Sequence, residues 1–312
     1  MGKQTKKTGS KFGGFWTKYK LYIIEEYLKS YSIALKNQNF RRIYIDAFAG
    51  SGKTELKSIV ESKDGGFFSF LEEDIIEEDV ISEEEIIEGS ALISLKYNFD
   101  EYYFVEIDEE RINNLKTEIS KHYSNKINKV HFLNEDSNQH LKRIIDSFGK
   151  NDKCVMFLDP YALELHWDVL EEISKHKGID IWYLFPLSIN RLIPKDKNKL
   201  EEHNKEIVNN ILGTTLWENE LYKKSTIRDL FGEEEKVERV ELDEIIKYIE
   251  KRFKTLFPYV NNNSIILKND KNSPLFMLTF MMTNDGAKAI SLAGKLVGGI
   301  VKGAEKKYGK SK

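Results

Sequence analysis

Cysteine is nearly absent from this chain. Cys154 is the single thiol in 312 residues, which excludes an intramolecular disulfide and the cysteine-rich zinc and iron–sulfur sites. Long apolar runs are missing as well, and none reaches the roughly 20 residues that a helix needs to cross a bilayer. The opening stretch MGKQTKKTGSKFGG has no apolar centre of the kind a signal peptide carries. These absences set the expectation of a soluble, cytoplasmic protein with no membrane partner. Net charge is small: 48 Lys and Arg against 51 Asp and Glu give -3, so bulk composition carries no basic signature of nucleic-acid binding. The six histidines show no ligand spacing with a matching acid, and no metal site is expected.

What is present suits a large α/β unit. Hydrophobic residues make up 40% and aromatics 12%, enough for a sizeable core and against global disorder. Charge is distributed unevenly. Residues 1–15 and 306–312 are lysine-rich and read as basic flexible tails. Between Glu72 and Glu88 there are ten acidic side chains and no basic one, so 53–88 reads as a solvated acidic insertion, a lid carrying at most a weak helix.

Periodicity orders the rest. Trp16, Tyr19, Ile23, Ile24, Tyr27, Leu28, Tyr31 and Leu35 recur at helical spacing. A β-rich run, Arg41 to Phe48, then opens onto Gly50 and Gly52. A helix start at Gly89–Leu95 precedes strand two (Tyr102–Asp108), strand three (Lys129–Leu133), strand four (Cys154–Asp159) and strand five (Asp180–Phe185), each followed by helical spacing. This alternation predicts a doubly wound, mostly parallel sheet with helices on both faces, its core spanning 16–194. Residues 195–257 read as a mostly helical insertion. Within 258–305, an antiparallel strand pair around Asn269-Asp270-Lys271-Asn272 and a glycine-spotted helix complete the core.

Ligands of open α/β sheets gather at the carboxyl ends of the strands. Four predicted strands end here on acids: Asp46, Glu106 with Asp108, Asp136, and Asp159. Glycines after strand one let backbone approach a ligand closely. A carboxylate after strand two suits a ribose diol, and one after strand three suits an exocyclic amine. As a set they describe an adenosine-containing ligand; singly, each acid also reads as an ordinary helix cap.

The order DAFAGSG, GSALISL, YYFVEID, NEDS, FLDPYAL resembles the class I S-adenosylmethionine-dependent methyltransferases. The combination YIDAFAGSG, GSALISL, FVEID, FLDPYALELHW and FP is similar, more narrowly, to the three-Cys-motif partner family (TcmP), well over residues 16–195 and loosely beyond. That resemblance implies S-adenosylmethionine as cofactor. It sets Asp46, Phe48, Gly50 and Gly52 under the methionine part, Glu106 (with Asp108 as substitute) at the ribose, and Asp136 beside Ser137 at the adenine. It also implies a separate partner protein bearing three cysteines.

The same loop admits a second reading. AFAGSGKT satisfies a relaxed P-loop ending in Lys53-Thr54, with Asp159 as the metal-binding acid of an NTPase. Against it stand Ala47 in place of the opening glycine, the break at Lys63-Asp64-Gly65-Gly66 where a helix should run, and the acids after strand two.

For methyl transfer to an amino nitrogen, Asp159 accepts a hydrogen bond from the attacking amine and the Pro160 carbonyl takes another, while Tyr161 stacks on a base. Asp159-Pro160-Tyr161 resembles the Asp-Pro-Pro-aromatic motif of amino-methyltransferases but has one residue fewer before its aromatic, and Tyr161 reads equally as a packing aromatic. The expected function is therefore methylation of an amino group in RNA or DNA, with a non-catalytic accessory role beside a radical-SAM-like three-cysteine partner as the alternative.

Overall fold

The protein is described here from a computed structural model covering residues 15–55, 86–229, 232–262, 264–269 and 272–309. The expected acidic lid, the lysines of the N-terminal tail and the Asp270-Lys271 turn fall outside the described residues or largely so.

In chain order the elements that position the site are α1 (Phe15–Ala34), β1 (Arg41–Asp46), β2 (Lys53–Glu55), β3 (Ile86–Glu88), α2 (Ser90–Ser94), β4 (Glu101–Val105), α3 (Glu109–His122), β5 (Val130–Leu133), α4 (Ser137–Asp146), β6 (Asp152–Leu158), α5 (Trp167–Lys175) and β7 (Ile179–Pro186). There follow α6 (Ile189–Leu192), α7 (Glu202–Leu212), α8 (Trp217–Glu220), β8 (Tyr222–Asp229), β9 (Gly232–Arg239), α9 (Leu242–Phe253), β10 (Tyr259–Val260), β11 (Ile265–Lys268), β12 (Pro274–Met282) and α10 (Ala287–Tyr308).

One eight-stranded sheet runs β10-β12-β7-β6-β1-β4-β5, with β11 also paired to β12. The five strands from β5 to β7 are mutually parallel, and β12 enters antiparallel beside β7. This mixed, mostly parallel sheet flanked by helices is the doubly wound, Rossmann-like architecture that the strand–helix alternation predicts. Strand order reverses at β1, which pairs with β4 on one side and β6 on the other. Chain direction after β1 therefore splits, leaving a crevice at its carboxyl end.

Both faces of the sheet are buried, which is why β6 and β7 read as nearly unbroken apolar runs. Ile43, Ile45, Met156, Leu158 and Tyr183 belong to one core, shared with Trp167 and Ile173 of α5 and Ile249 of α9. Tyr44, Phe104, Phe157 and Trp182 belong to the other, shared with Tyr19, Ile23 and Tyr27 of α1 and Val297 and Ile300 of α10. Helix α1 is tied down by polar contacts too: the Tyr27 hydroxyl donates to Asp180 at 2.8 Å.

The stretch 195–257 departs from the helical expectation at its centre. Helices α7, α8 and α9 form, but β8 and β9 pair antiparallel between them in an eight-residue ladder from Tyr222↔Arg239 to Asp229↔Gly232. The charge-rich ELDEIIKYIEKRF pattern belongs to α9 alone; the charged run before it follows Gly232, a turn signal. The predicted pair near 264–282 forms as β11 and β12.

Candidate functional site

The loop leaving β1 is shaped by its glycines. Gly50 (φ +60°) and Gly52 (φ +81°) are in the left-handed region that side chains disfavour. A Cβ on Gly52 would stand 2.6 Å from Leu115 Cδ1, whereas at Gly50 nothing lies within 4 Å, so the backbone there is open to an approaching ligand. The loop is anchored to the neighbouring strands by Ala47 N–H donating to the Phe157 carbonyl (3.0 Å) and Ala49 N–H donating to that of Val105 (2.9 Å). Lys53 then begins β2 rather than a helix, and its ammonium pairs with Glu118 at 2.6 Å. A P-loop requires its lysine at a helix start, whereas Lys53 here opens a strand.

Glu106 is buried, and its two oxygens accept from the Gly50 amide (2.9 Å) and the Asp108 amide (3.0 Å). The carboxylate after β4 thus holds the glycine loop. Asn134 closes the same corner, its amide donating to the carbonyls of Glu106 (2.9 Å) and Ile107 (2.8 Å). Between the two acids Ile107 is 70% exposed, an apolar face at the mouth of the crevice that alternation alone did not single out.

Asp108 and Asp136 both serve as helix caps. Asp108 accepts from the Arg111 amide (2.9 Å) at the start of α3, and Asp136 Oδ1 accepts from the amides of Asn138 (2.7 Å) and Gln139 (3.3 Å) at the start of α4. Capping by Asp at this position contributes about 1 kcal/mol to a helix. Ser137 donates to the Ala47 carbonyl and so pins α4 to the β1 loop. Glu164 joins this group unannounced by any sequence signal: burial above all, then Glu106 and Asp136, raises its carboxyl above the usual range.

On the other side of β1 lies a second group. Asp46 is fully buried. The Phe48 amide donates to its Oδ1 (3.4 Å), and the Tyr44 hydroxyl lies 3.5 Å from its Oδ2. Burial pushes its carboxyl up to about 7; the Ser90 hydroxyl pulls it back, and Asp159 pushes it further up. Asp159, at the end of β6, accepts from Lys20 of α1 at 2.5 Å. The lysine's side chain is 9% exposed and that of Asp159 20%, and the ammonium also lies 5.2 Å from the Trp16 ring and 5.9 Å from that of Phe157. Pro160 is buried and Tyr161 is 44% exposed. Phe48 is partly buried against the core.

The sequence-derived residues therefore fall into two clusters about one strand end: Glu106, Asp108, Asp136 and Ser137 on the β4–β5 side, Asp46 and Asp159–Tyr161 on the β6 side. The glycine loop lies between. Lys20 and Ser90 were missed. Lys20 carried a signal, since it stands where the apolar spacing of α1 passes (Trp16, Lys20, Ile23, Ile24, Tyr27). Away from the site, Asp146, Glu172 and His176 bring ligand-type atoms within 4.8 Å of one another, but Glu172 is also paired with Lys175 at 2.7 Å.

No protein-family model matches the chain, and no curated protein does. Among solved structures, protein LPL1258 from Legionella pneumophila is similar at 12% identity, with 96% of this chain and 94% of that one covered and a TM-score of 0.49. The methyltransferase domain of bacterial CtHen1-C is similar at 10% identity over 83% of this chain and 98% of that one, with a TM-score of 0.35. The N-terminal domain of EvdMO1, solved in the presence of SAH and D-fucose, is 11% identical over 83% of this chain and 82% of that one, again with a TM-score of 0.35. No helix among the described residues is long and apolar enough to cross a membrane.

Proposed function

We propose that this chain is an S-adenosylmethionine-dependent methyltransferase acting on an amino group of a nucleic-acid base. The observation that carries the reading is the convergence of an open glycine loop, a nucleoside-type acid cluster and the Asp159-Pro160-Tyr161 segment on the end of one central strand. Gly50 leaves room for a ligand against the loop, Glu106 and Asp136 offer carboxylates for hydroxyl and amine donors, and exposed Ile107 offers an apolar face for a base. These residues fit the donor. When bound, S-adenosylmethionine supplies an electrophilic methyl group on a sulfonium.

The chain's own contribution is alignment and charge. Lys20 fixes Asp159 through one oxygen, so that its second oxygen is available to orient an acceptor amine. Tyr161 presents a ring at the crevice rim, where stacking on an extruded base is worth roughly 1–3 kcal/mol. For the substrate class, α10 supplies support. Lys288, Lys295, Lys302 and Lys306 are all exposed on one face at spacings of seven, seven and four, opposite the buried Ala293, Val297, Ile300 and Ala304. Among the described residues none of these four is ion-paired. Such a row, with two steps of about 10 Å and one of about 6 Å, suits a phosphate backbone, although net charge gives no such indication.

The accessory reading draws on two observations: Lys20 already engages Asp159, and the motif is one residue short. Tritiated methyl transfer from S-adenosylmethionine onto total RNA, total DNA and candidate protein partners separates the two. Label in nucleic acid that disappears with Asp159→Ala is expected. Donor binding that survives Asp159→Ala with no labelled acceptor in any fraction would replace the catalytic reading with the accessory one.

A further inference from the structure

The polar group beneath the β1 loop contains two carboxylates and one cation. Asp46 faces Tyr44 from its own strand, the Phe48 amide from the loop, Ser90 from α2, Asp159 from the end of β6, and Lys20 from α1. Lys20 is committed to Asp159 at 2.5 Å. Tyr44, Ser90 and the amide are neutral donors. An anion buried without a counter-charge is strongly disfavoured, and either a proton or a cation must answer it. Asp46 therefore sits in a site that is one positive charge short.

Resting on the donor reading above, we infer that Asp46, with the Lys20–Asp159 pair beside it, is the specificity element by which this site tells a sulfonium nucleoside from its neutral thioether product. With no cation above the loop, Asp46 holds a proton. Seating a sulfonium supplies the missing charge, and the Asp46 carboxyl releases that proton to solvent. Once the methyl group has left, the thioether carries no charge, a proton returns from solvent to Asp46, and the advantage of the donor over the product is lost with it. No bond other than O–H changes at Asp46, and one proton is exchanged per cycle of binding and release. The buried carboxyl's elevation to about 7 puts this exchange within the neutral range.

Isothermal titration of the full chain with S-adenosylmethionine and with S-adenosylhomocysteine, in buffers of low and high ionisation enthalpy, reads the exchange directly. The two ligands share carboxylate, amine and adenine and differ in the charge on sulfur. Donor affinity is expected to rise roughly tenfold per pH unit up to about 7 and then level off, with one proton released. Product affinity is expected to stay flat across the same range. In Asp46→Asn the donor's pH slope disappears and the donor-to-product ratio narrows. Equal pH profiles for the two ligands, or a slope that survives Asp46→Asn, would overturn the inference. The buffer comparison on the unaltered chain stands even if that variant does not fold. Failure of both ligands to bind at any pH removes the donor reading itself, whereas binding of both without proton exchange removes only the role of Asp46.

Discussion

Lys20 Nζ and Asp159 Oδ2 meet at 2.5 Å across 139 residues of chain, joining the first helix to the end of a central strand. The pair is mostly shielded from water, so each charge depends on the other for its solvation.

Replacing Lys20 by Met keeps the stem's packing but leaves Asp159 beside Asp46 with no cation. A loss of about 2–3 kcal/mol is expected, below the fully buried range because Asp159 is partly exposed. Lys20→Met/Asp159→Asn is expected to recover much of it. Urea unfolding midpoints of the four-member cycle check this; additive losses would show that the two residues do not interact energetically.

The two loop glycines are expected to differ in what alanine does to them. Gly52→Ala meets Leu115 and Leu92 as well as an unfavourable φ and is expected to cost about 3 kcal/mol. Gly50→Ala has open space and pays only the conformational term, about 1 kcal/mol. In ligand titrations the order is expected to reverse, with Gly50→Ala the more damaging per unit of lost stability, because its new methyl fills the open side of the loop. Thermal melts with and without S-adenosylhomocysteine test both halves.

Stability is expected to fall as pH rises through the range of Asp180. Burial raises this carboxyl to about 6 from the model-compound 3.8, against the pull of Tyr27's hydrogen bond and Lys153. Between those values the folded chain retains a proton that the unfolded chain has lost, so raising pH favours unfolding, and the full penalty is in place above about 6. Asp180→Asn keeps an acceptor for Tyr27 without the charge. It is expected to be more stable than the parent by about 1–3 kcal/mol at pH 8 and close to it at pH 4. Parallel pH series of denaturation midpoints decide it.

Charge reversal on α10 tests the polyanion face. Lys295→Glu and Lys302→Glu are expected to weaken binding to single-stranded RNA and DNA, each lowering the slope of log affinity against log salt by about 1. Fluorescence anisotropy at several ionic strengths reads this slope. Unchanged slopes would remove α10 from the nucleic-acid contact.

The sheet was legible because its signals are local: apolar strands ending in Asp or Glu, then helical spacing. The glycine loop was legible for the same reason, since left-handed backbone demands glycine. Lys20 was hidden by chemistry, a lysine in an amphipathic helix being ordinarily solvated, and only the fold brings Asp159 to it. The caps at Asp108 and Asp136 illustrate the opposite limit. Their amide partners lie within three residues and were foreseeable, but Glu106 bonding Gly50 spans 56 residues. The β8–β9 ladder was missed because its pairing is between charged segments with no apolar alternation to betray strands.

Helix α1 has a temporal consequence. Tyr27 depends on Asp180, 153 residues away, and Lys20 on Asp159. During synthesis the first helix must wait, its tyrosines and isoleucines uncovered, until β6 and β7 have left the ribosome. The site is therefore completed by an element made well before β6 and β7 but docking only after them, and in the interval its apolar stripe is exposed to chaperones and to neighbouring chains.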